Sequence, residues 1–320
     1  MKIRVLIIIT SLFASGIFQS AEAQFRDSQV QDWGIIAGAA FSEIFLTAKQ
    51  KKFNKKNTKP IQGKEPPGIL FFDRATIGNS SLKAGKLSDG MLYTSVAGYF
   101  AIAPVYSNKH SWYMGLETLA ITDLANIWIK MIVKRKRPFT NSRLTMRGCV
   151  DCGCEKYDLT KFDARLSFYS GHTAQVAAFS YFTMSMLWFH FSDFRKDRQW
   201  AYLLGGAIPA FTGYLRTRAG KHYPSDVIVG YLAGAAAGYL VPVWHKNDNE
   251  FQDLSNLNDN MVISLIGGAG TAAALLIISK VTKPPAENCF EKAQSSKNYK
   301  LSLTPLIGRT NGLSLRLSFN

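Results

Sequence analysis

Apolar and polar positions alternate along this chain in long blocks rather than at short period. Six stretches are nearly free of charge: Leu87–Tyr106, Trp112–Val133, Thr173–Phe191, Trp200–Leu215, Val227–Trp244 and Met261–Ile278, with short polar loops between them. They are rich in Ala, Gly and aromatics. Trp and Tyr stand near several of their ends, the placement these residues favour at a membrane–water interface. A spanning helix needs about 20 residues, and most of the six come near that length. The pattern predicts an all-α fold, a multi-helix transmembrane bundle. Glu117 and Asp123 inside the second stretch favour instead the buried helices of a soluble protein, because intramembrane carboxylates are costly. Overall hydropathy near zero points the same way, but segment length and apolarity favour the membrane.

The two ends of the chain differ from this middle. Lys2 and Arg4 precede a mostly apolar run from Val5 to Phe18, and Ala21-Glu22-Ala23 then forms a small-residue cleavage site. That is the plan of an export signal. Trp33–Ala48 is apolar except for Glu43, and short for a span. The basic run Lys49–Lys64 reads as a solvated loop. At the far end, Tyr299–Ile307 and Leu313–Phe319 alternate apolar and polar residues, with Asn311-Gly312 just before the second run. This predicts a short C-terminal β-hairpin-like tail. The expected organisation is a signal peptide at 1–23, an N-terminal extension with a basic linker at 24–87, a catalytic helical core at 88–245, and an extra apolar segment with the tail at 246–320.

Charge adds a partner class. Only 19% of residues are charged, below the usual quarter, yet 38 Lys and Arg against 22 Asp and Glu leave a net charge of +16. Such an excess favours anionic partners: nucleic acid, anionic lipid or a phosphorylated substrate. No nucleic-acid module accompanies it, so nucleic acid is not expected.

Three blocks at the edges of apolar stretches carry the chemistry. In the first, Lys130 and Arg137-Pro138 are about two helical turns apart. The second is Tyr169-Ser170-Gly171-His172, opening the stretch from Thr173. The third runs from Arg216 through His222 to Asp226 and opens the stretch from Val227. A phosphate is a compact anion that charge-assisted bonds from Arg and Lys satisfy. A helix start adds unpaired N–H groups and a positive dipole end, and Gly171 allows close approach. Two histidines suit phosphoryl transfer: a neutral imidazole attacks phosphorus while the other protonates the leaving oxygen. A nearby acid fixes the tautomer of the first. Asp226, four residues after His222, is expected to hydrogen-bond it.

In order and spacing these blocks resemble the type 2 phosphatidic acid phosphatase superfamily, which also includes bacterial acid phosphatases and vanadium haloperoxidases. Its pattern is K-x6-R-P, then P-S-G-H, then S-R-x5-H-x3-D. Tyr169 replaces the proline of the second block and Leu215 the serine of the third. The resemblance covers Leu87 to Trp244 and implies roles. His222 is the nucleophile that forms a phosphohistidine, Asp226 orients it, and His172 protonates the leaving group and then activates water. Lys130, Arg137, Ser170, Gly171 and Arg216 hold the phosphate. No cofactor and no metal is implied. The substrate class is a lipid phosphate monoester or diphosphate: phosphatidic acid-like, polyprenyl diphosphate or lipid A-type. The alternatives are a soluble periplasmic acid phosphatase of the same superfamily, a haloperoxidase, and a non-catalytic anion-binding membrane protein.

The remaining candidates read more plainly. Lys134, Arg135 and Lys136 are snorkelling anchors or part of the local positive field. His110, His190 and His245 lack a partner at useful spacing and read as surface or interfacial. Cys149, Cys152, Cys154 and Cys289 form an even set, which in an exported chain favours disulfides over a thiolate metal site. The loops opposite the three blocks, Ser107–Ser111 and Asp193–Arg198, carry positive charge, which places them in the cytoplasm. The expected location is the bacterial inner membrane, with the site facing the periplasm.

Overall fold

The computed structural model describes residues 25, 29–56, 70–77, 79, 81–103, 109–141, 160–191, 199–247, 253–281, 300–306 and 312–318. The export signal and all four cysteines lie outside these. Seven α-helices occur among the described residues: α1 Gln29–Lys56, α2 Leu82–Ile102, α3 Lys109–Val133, α4 Gly171–His190, α5 Gln199–Arg218, α6 Pro224–His245 and α7 Ser255–Val281. The six apolar stretches become α2 to α7, extended by a few residues where caps lie outside the apolar run. Ser81 caps α2 and Ser170 caps α4, each hydroxyl accepting a main-chain N–H three residues on. Pro224 fits the first turn of α6, where its missing N–H costs nothing.

The fold is all-helical, and α4 is its axis. Its residues are buried on every side, from Thr173 to Phe189, against α2, α3, α5 and α6. A helix apolar all round has to be enclosed. The closest packing is with α6, where Gly230, Gly234 and Gly238 form a ridge at i, i+4, i+8. A Cβ at Gly230 would sit 2.6 Å from the Ser170 carbonyl oxygen, and Cβ atoms at Gly234 and Gly238 would overlap the carbonyls of Ala174 and Ala178. Small residues let two backbones approach in this way. Gly206 of α5 and Gly267 of α7 repeat the arrangement against Ser264 and Leu203.

The outer faces are different. Phe41 and Ile44 of α1, Ile132 of α3, Leu204 of α5, Leu232 and Trp244 of α6, and Ile266 and Ile277 of α7 are all exposed. Among the described residues two helices, α6 and α7, are long and apolar enough to cross a membrane.

Two expectations about the ends need correction. The basic run is not a loop from its start, because α1 continues through Lys56 and is 28 residues long, about 42 Å. Lys and Gln are good helix formers, and the last turns have something to hold. Phe53 packs on Phe162 with ring centroids 4.8 Å apart, and Asn54 Oδ1 accepts the Phe162 N–H at 2.9 Å. The fold class rests on the helices and not on the expected hairpin tail. Lys300–Leu306 and Gly312–Ser318, β1 and β2, pair antiparallel, and a lone two-stranded ribbon is at best marginal in water.

Candidate functional site

The three sequence blocks meet at one end of the bundle, where α3 and α5 end and α4 and α6 begin. Backbone hydrogen bonds join the connecting loops directly. Arg137 N–H donates to the Ala164 carbonyl at 3.0 Å, Ser167 N–H to Arg135 at 2.9 Å, Ser170 N–H to Asp226 at 3.0 Å, and Phe139 N–H to Gly220 at 3.2 Å. The turn after α5 needs a glycine, since Gly220 has φ 67°. Gly220 N–H donates to Thr217 at 3.0 Å and Lys221 N–H to Arg216 at 3.2 Å, the paired bonds of a Schellman ending. This turn brings Arg216 and His222 to the same end of the bundle.

Several of the expected phosphate ligands are placed by further contacts. Arg137 is buried. Its Nε and Nη2 donate to the backbone and side chain of Asp163 at 2.9 and 2.7 Å. Arg216 Nη1 donates to Ser88 Oγ at 3.2 Å and Asp89 Oδ1 at 3.1 Å. Gly171 leaves no room for a side chain, because a Cβ there would meet Asn126 Oδ1 at 2.7 Å and Lys130 Nζ at 3.4 Å. Asn126 Nδ2 in turn donates to the Tyr169 carbonyl at 2.9 Å. His172 Nε2 donates to Asp89 Oδ1 at 2.8 Å.

His222 is fully buried, and its Nδ1 lies 2.7 Å from the Ser167 carbonyl oxygen. A carbonyl only accepts, so Nδ1 carries the hydrogen and the lone pair of the neutral ring is on Nε2. Burial, reinforced by the charges of Arg137, Arg216 and Lys130, holds the His222 pKa well below that of an ordinary histidine.

The expected His222–Asp226 hydrogen bond is not formed, since Nδ1 and Oδ2 are 3.8 Å apart. Helix entry decides this. As the third residue of α6, Asp226 turns back and accepts Tyr223 N–H at 3.0 Å, while Ser167 Oγ donates to it at 2.5 Å and Arg135 Nη1 at 2.5 Å. Asp226 thus grips the Ser167 loop that in turn holds His222.

Arg135 was read as an anchor or as part of the local positive field, and the structure places it inward. It also pairs with Asp73 at 2.7 Å and lies over the Tyr223 ring at 4.2 Å. Asp73, fully buried in a short 3-10 turn at Phe71–Thr76, accepts Ser225 N–H at 2.9 Å and so caps α6 from the N-terminal extension. His245 is likewise not at the surface. It is buried at the other end of α6.

Sequence reasoning missed Asp73, Asp89, Arg135, Asp163 and Ser167 as parts of this site. For Arg135 the signal was hidden inside a run of four cations. The others carry no local signal at all.

Comparison with known proteins follows the same segment. Residues 111–250 match the family described as PAP2 superfamily. The chain is 31% identical over 155 residues to phospholipid phosphatase 2 of Rattus norvegicus, covering 43% of this chain and 53% of that protein. It is 28% identical over 163 residues to phospholipid phosphatase 1 of Mus musculus, covering 47% and 56%. The chain therefore spans about half the length of these curated relatives. No solved structure matches it.

Proposed function

From a PAP2-superfamily match that embraces all three sequence blocks, we propose that this chain is a membrane-embedded phosphatase. It hydrolyses the phosphate monoester or diphosphate of a lipid through a phosphohistidine on His222. The observation that carries the reading is the His222 tautomer. Its Nδ1–H is committed to the Ser167 carbonyl, so Nε2 holds the lone pair, and Lys130, Arg137, Arg216 and His172 are the cationic or ionisable groups around the ring.

The chemistry follows from those positions. The substrate phosphate sits among Lys130, Arg137, Arg216, Ser170 and the Gly171 N–H at the start of α4, where side-chain cations and the helix dipole offset its charge. His222 Nε2 forms a bond to phosphorus as the P–O bond to the leaving alcohol or phosphate breaks. His172 gives its proton to that oxygen. In the second half, His172 takes a proton from water, the water oxygen bonds to phosphorus, and the N–P bond breaks to release phosphate and the neutral imidazole.

The outer faces support a lipid substrate. Large aliphatic and aromatic side chains exposed on α1, α5, α6 and α7 form a periphery that soluble monomers rarely show. The relatives named above carry the name phospholipid phosphatase. Phosphatidic acid-like lipids, polyprenyl diphosphates and lipid A-type phosphates are the candidate substrates. The location that suits this reading is the bacterial inner membrane, with an export signal and the site facing the periplasm. The test is phosphate release by the purified protein across a panel of these lipids, with His222→Ala as control. Hydrolysis of small soluble phosphate esters without any lipid preference would favour the soluble acid-phosphatase reading instead.

A further inference from the structure

At the end of the bundle away from the three blocks, three ionisable side chains from three helices meet inside the protein. Asp32 lies in the first turn of α1, Glu117 near the start of α3, and His245 at the end of α6. They are 5%, 3% and 6% exposed. One ligand-type atom from each falls within 4.8 Å of the others. His245 Nε2 is 3.2 Å from Asp32 Oδ1 and 3.5 Å from Glu117 Oε2. From His245 to Asp226 is 19 helical residues, about 28 Å along α6, so this cluster is separate from the phosphate site.

Three features of the cluster suit a bound metal. The first is the histidine's other nitrogen. Nδ1 is 2.9 Å from the Val241 carbonyl oxygen, so it carries the hydrogen, and when the ring is neutral Nε2 holds the lone pair on the side of the two carboxylates. Metal-bound histidines are oriented by this kind of backbone bond. The second is Glu117 Oε2, which is buried and has no hydrogen-bond partner among the described residues. A buried carboxylate oxygen left unsatisfied is costly. The third is spacing. Tetrahedral ligands about 2.0–2.1 Å from zinc stand about 3.3 Å from one another, and the two measured separations, 3.2 and 3.5 Å, bracket that edge.

We propose that Asp32, Glu117 and His245 bind one divalent transition-metal cation, with zinc or manganese the fitting class. Two carboxylates and a neutral imidazole bring a charge of −2, which one such cation cancels. Water or a further ligand completes the coordination. The cation clasps the start of α1, which lies outside the family-matched segment 111–250, to two helices within it. Phe25, paired by a β-bridge with Lys246 and packed on Phe189, holds the chain beside the same corner. The cation does no phosphoryl chemistry and works as a staple.

The experiment uses the full chain in detergent, stripped with a chelator, its free thiols alkylated, then titrated with Zn²⁺ and measured for bound metal and melting temperature. The wild type is expected to retain one zinc per chain and to melt higher with it, as ligand binding to the folded state requires. Glu117→Gln and His245→Gln are expected to bind at least about a hundredfold more weakly, beyond the loss typical of outer-shell partners, and to lose the melting shift. If either variant fails to fold, zinc-edge X-ray absorption on the wild type decides. It must show nitrogen and oxygen donors near 2.0–2.1 Å and no sulfur. A wild type that binds no zinc or manganese overturns the proposal, as does zinc bound through sulfur or bound equally by both variants. A Glu117→Gln variant more stable than metal-free wild type, with no metal in either, also overturns it and assigns the cluster to a shared proton.

Discussion

The imidazole of His222 is held by the main chain of Ser167, its Nδ1 2.7 Å from the carbonyl oxygen. Asp226, the acid expected to hold it, stands at 3.8 Å and grips Ser167 through the hydroxyl at 2.5 Å. Orientation of the proposed nucleophile therefore passes through a loop. His222→Ala is expected to lower kcat by at least about a thousandfold with the fold intact. Asp226→Asn and Arg135→Gln, which loosen the loop without touching phosphorus, are expected to cost about 10- to 100-fold each, the range for orienting groups. Because both act on one guanidinium–carboxylate pair, the double variant should cost clearly less than the product of the singles. Steady-state kinetics on the four proteins checks this. Strict additivity would separate Arg135 from Asp226.

Asp89 lies among the side chains expected to hold the phosphate. It bridges His172 Nε2 at 2.8 Å and Arg216 Nη1 at 3.1 Å. An arriving phosphate must compete with it for both donors. Asp89→Asn is expected to tighten inhibition by inorganic phosphate by about tenfold, roughly one ion-pair equivalent of 1.4 kcal/mol. Weaker inhibition together with a fall in kcat would instead make Asp89 the group that orients His172.

The glycine ridge of α6 predicts a position-specific stability effect. A Cβ at Gly234 would overlap the main chain of α4, whereas at Gly270 it would meet nothing within 4 Å. Gly234→Ala is expected to destabilise by about 1–3 kcal/mol through overpacking. Gly270→Ala, in the interior of α7, is expected to be neutral or slightly stabilising. Thermal unfolding in detergent distinguishes them.

His222 also sets a pH dependence of stability. Its pKa is depressed in the folded protein, so below the ordinary value of about 6.5 the unfolded chain binds a proton that the folded one does not. Stability then rises with pH across that window and falls as the solution is acidified below it. The same depression keeps the His222 imidazole neutral in mild acid. Melting temperatures between pH 7 and 5 are expected to fall less steeply for His222→Asn than for wild type. Parallel slopes would remove His222 from this linkage.

Much of this protein is local in origin and was legible residue by residue. Apolar stretches of about one helix length and the helix start at Ser170-Gly171 marked α2 to α7, because those signals act within a few residues of the chain. The histidines and cations of the site were legible for a related reason: K-x6-R-P, S-G-H and R-x5-H-x3-D are spacings within one segment. What pairs with them was not. Asp73, Asp89, Asp163 and Ser167 reach the site from other parts of the chain, and nothing near them in sequence marks the meeting. Asp226 illustrates the limit most clearly. Four residues from His222, it was expected to bond it, but the third position of a helix aims its carboxylate at the helix's own N-terminus, and the carbonyl of a serine 55 positions from His222 holds the imidazole. His245 was read as a surface residue because no partner lies near it in sequence. Only the packing of α1 on α3 and of α3 on α6 brings Asp32 and Glu117 to its ring, since contacts between distant segments are decided by how helices cross and not by the residues beside them.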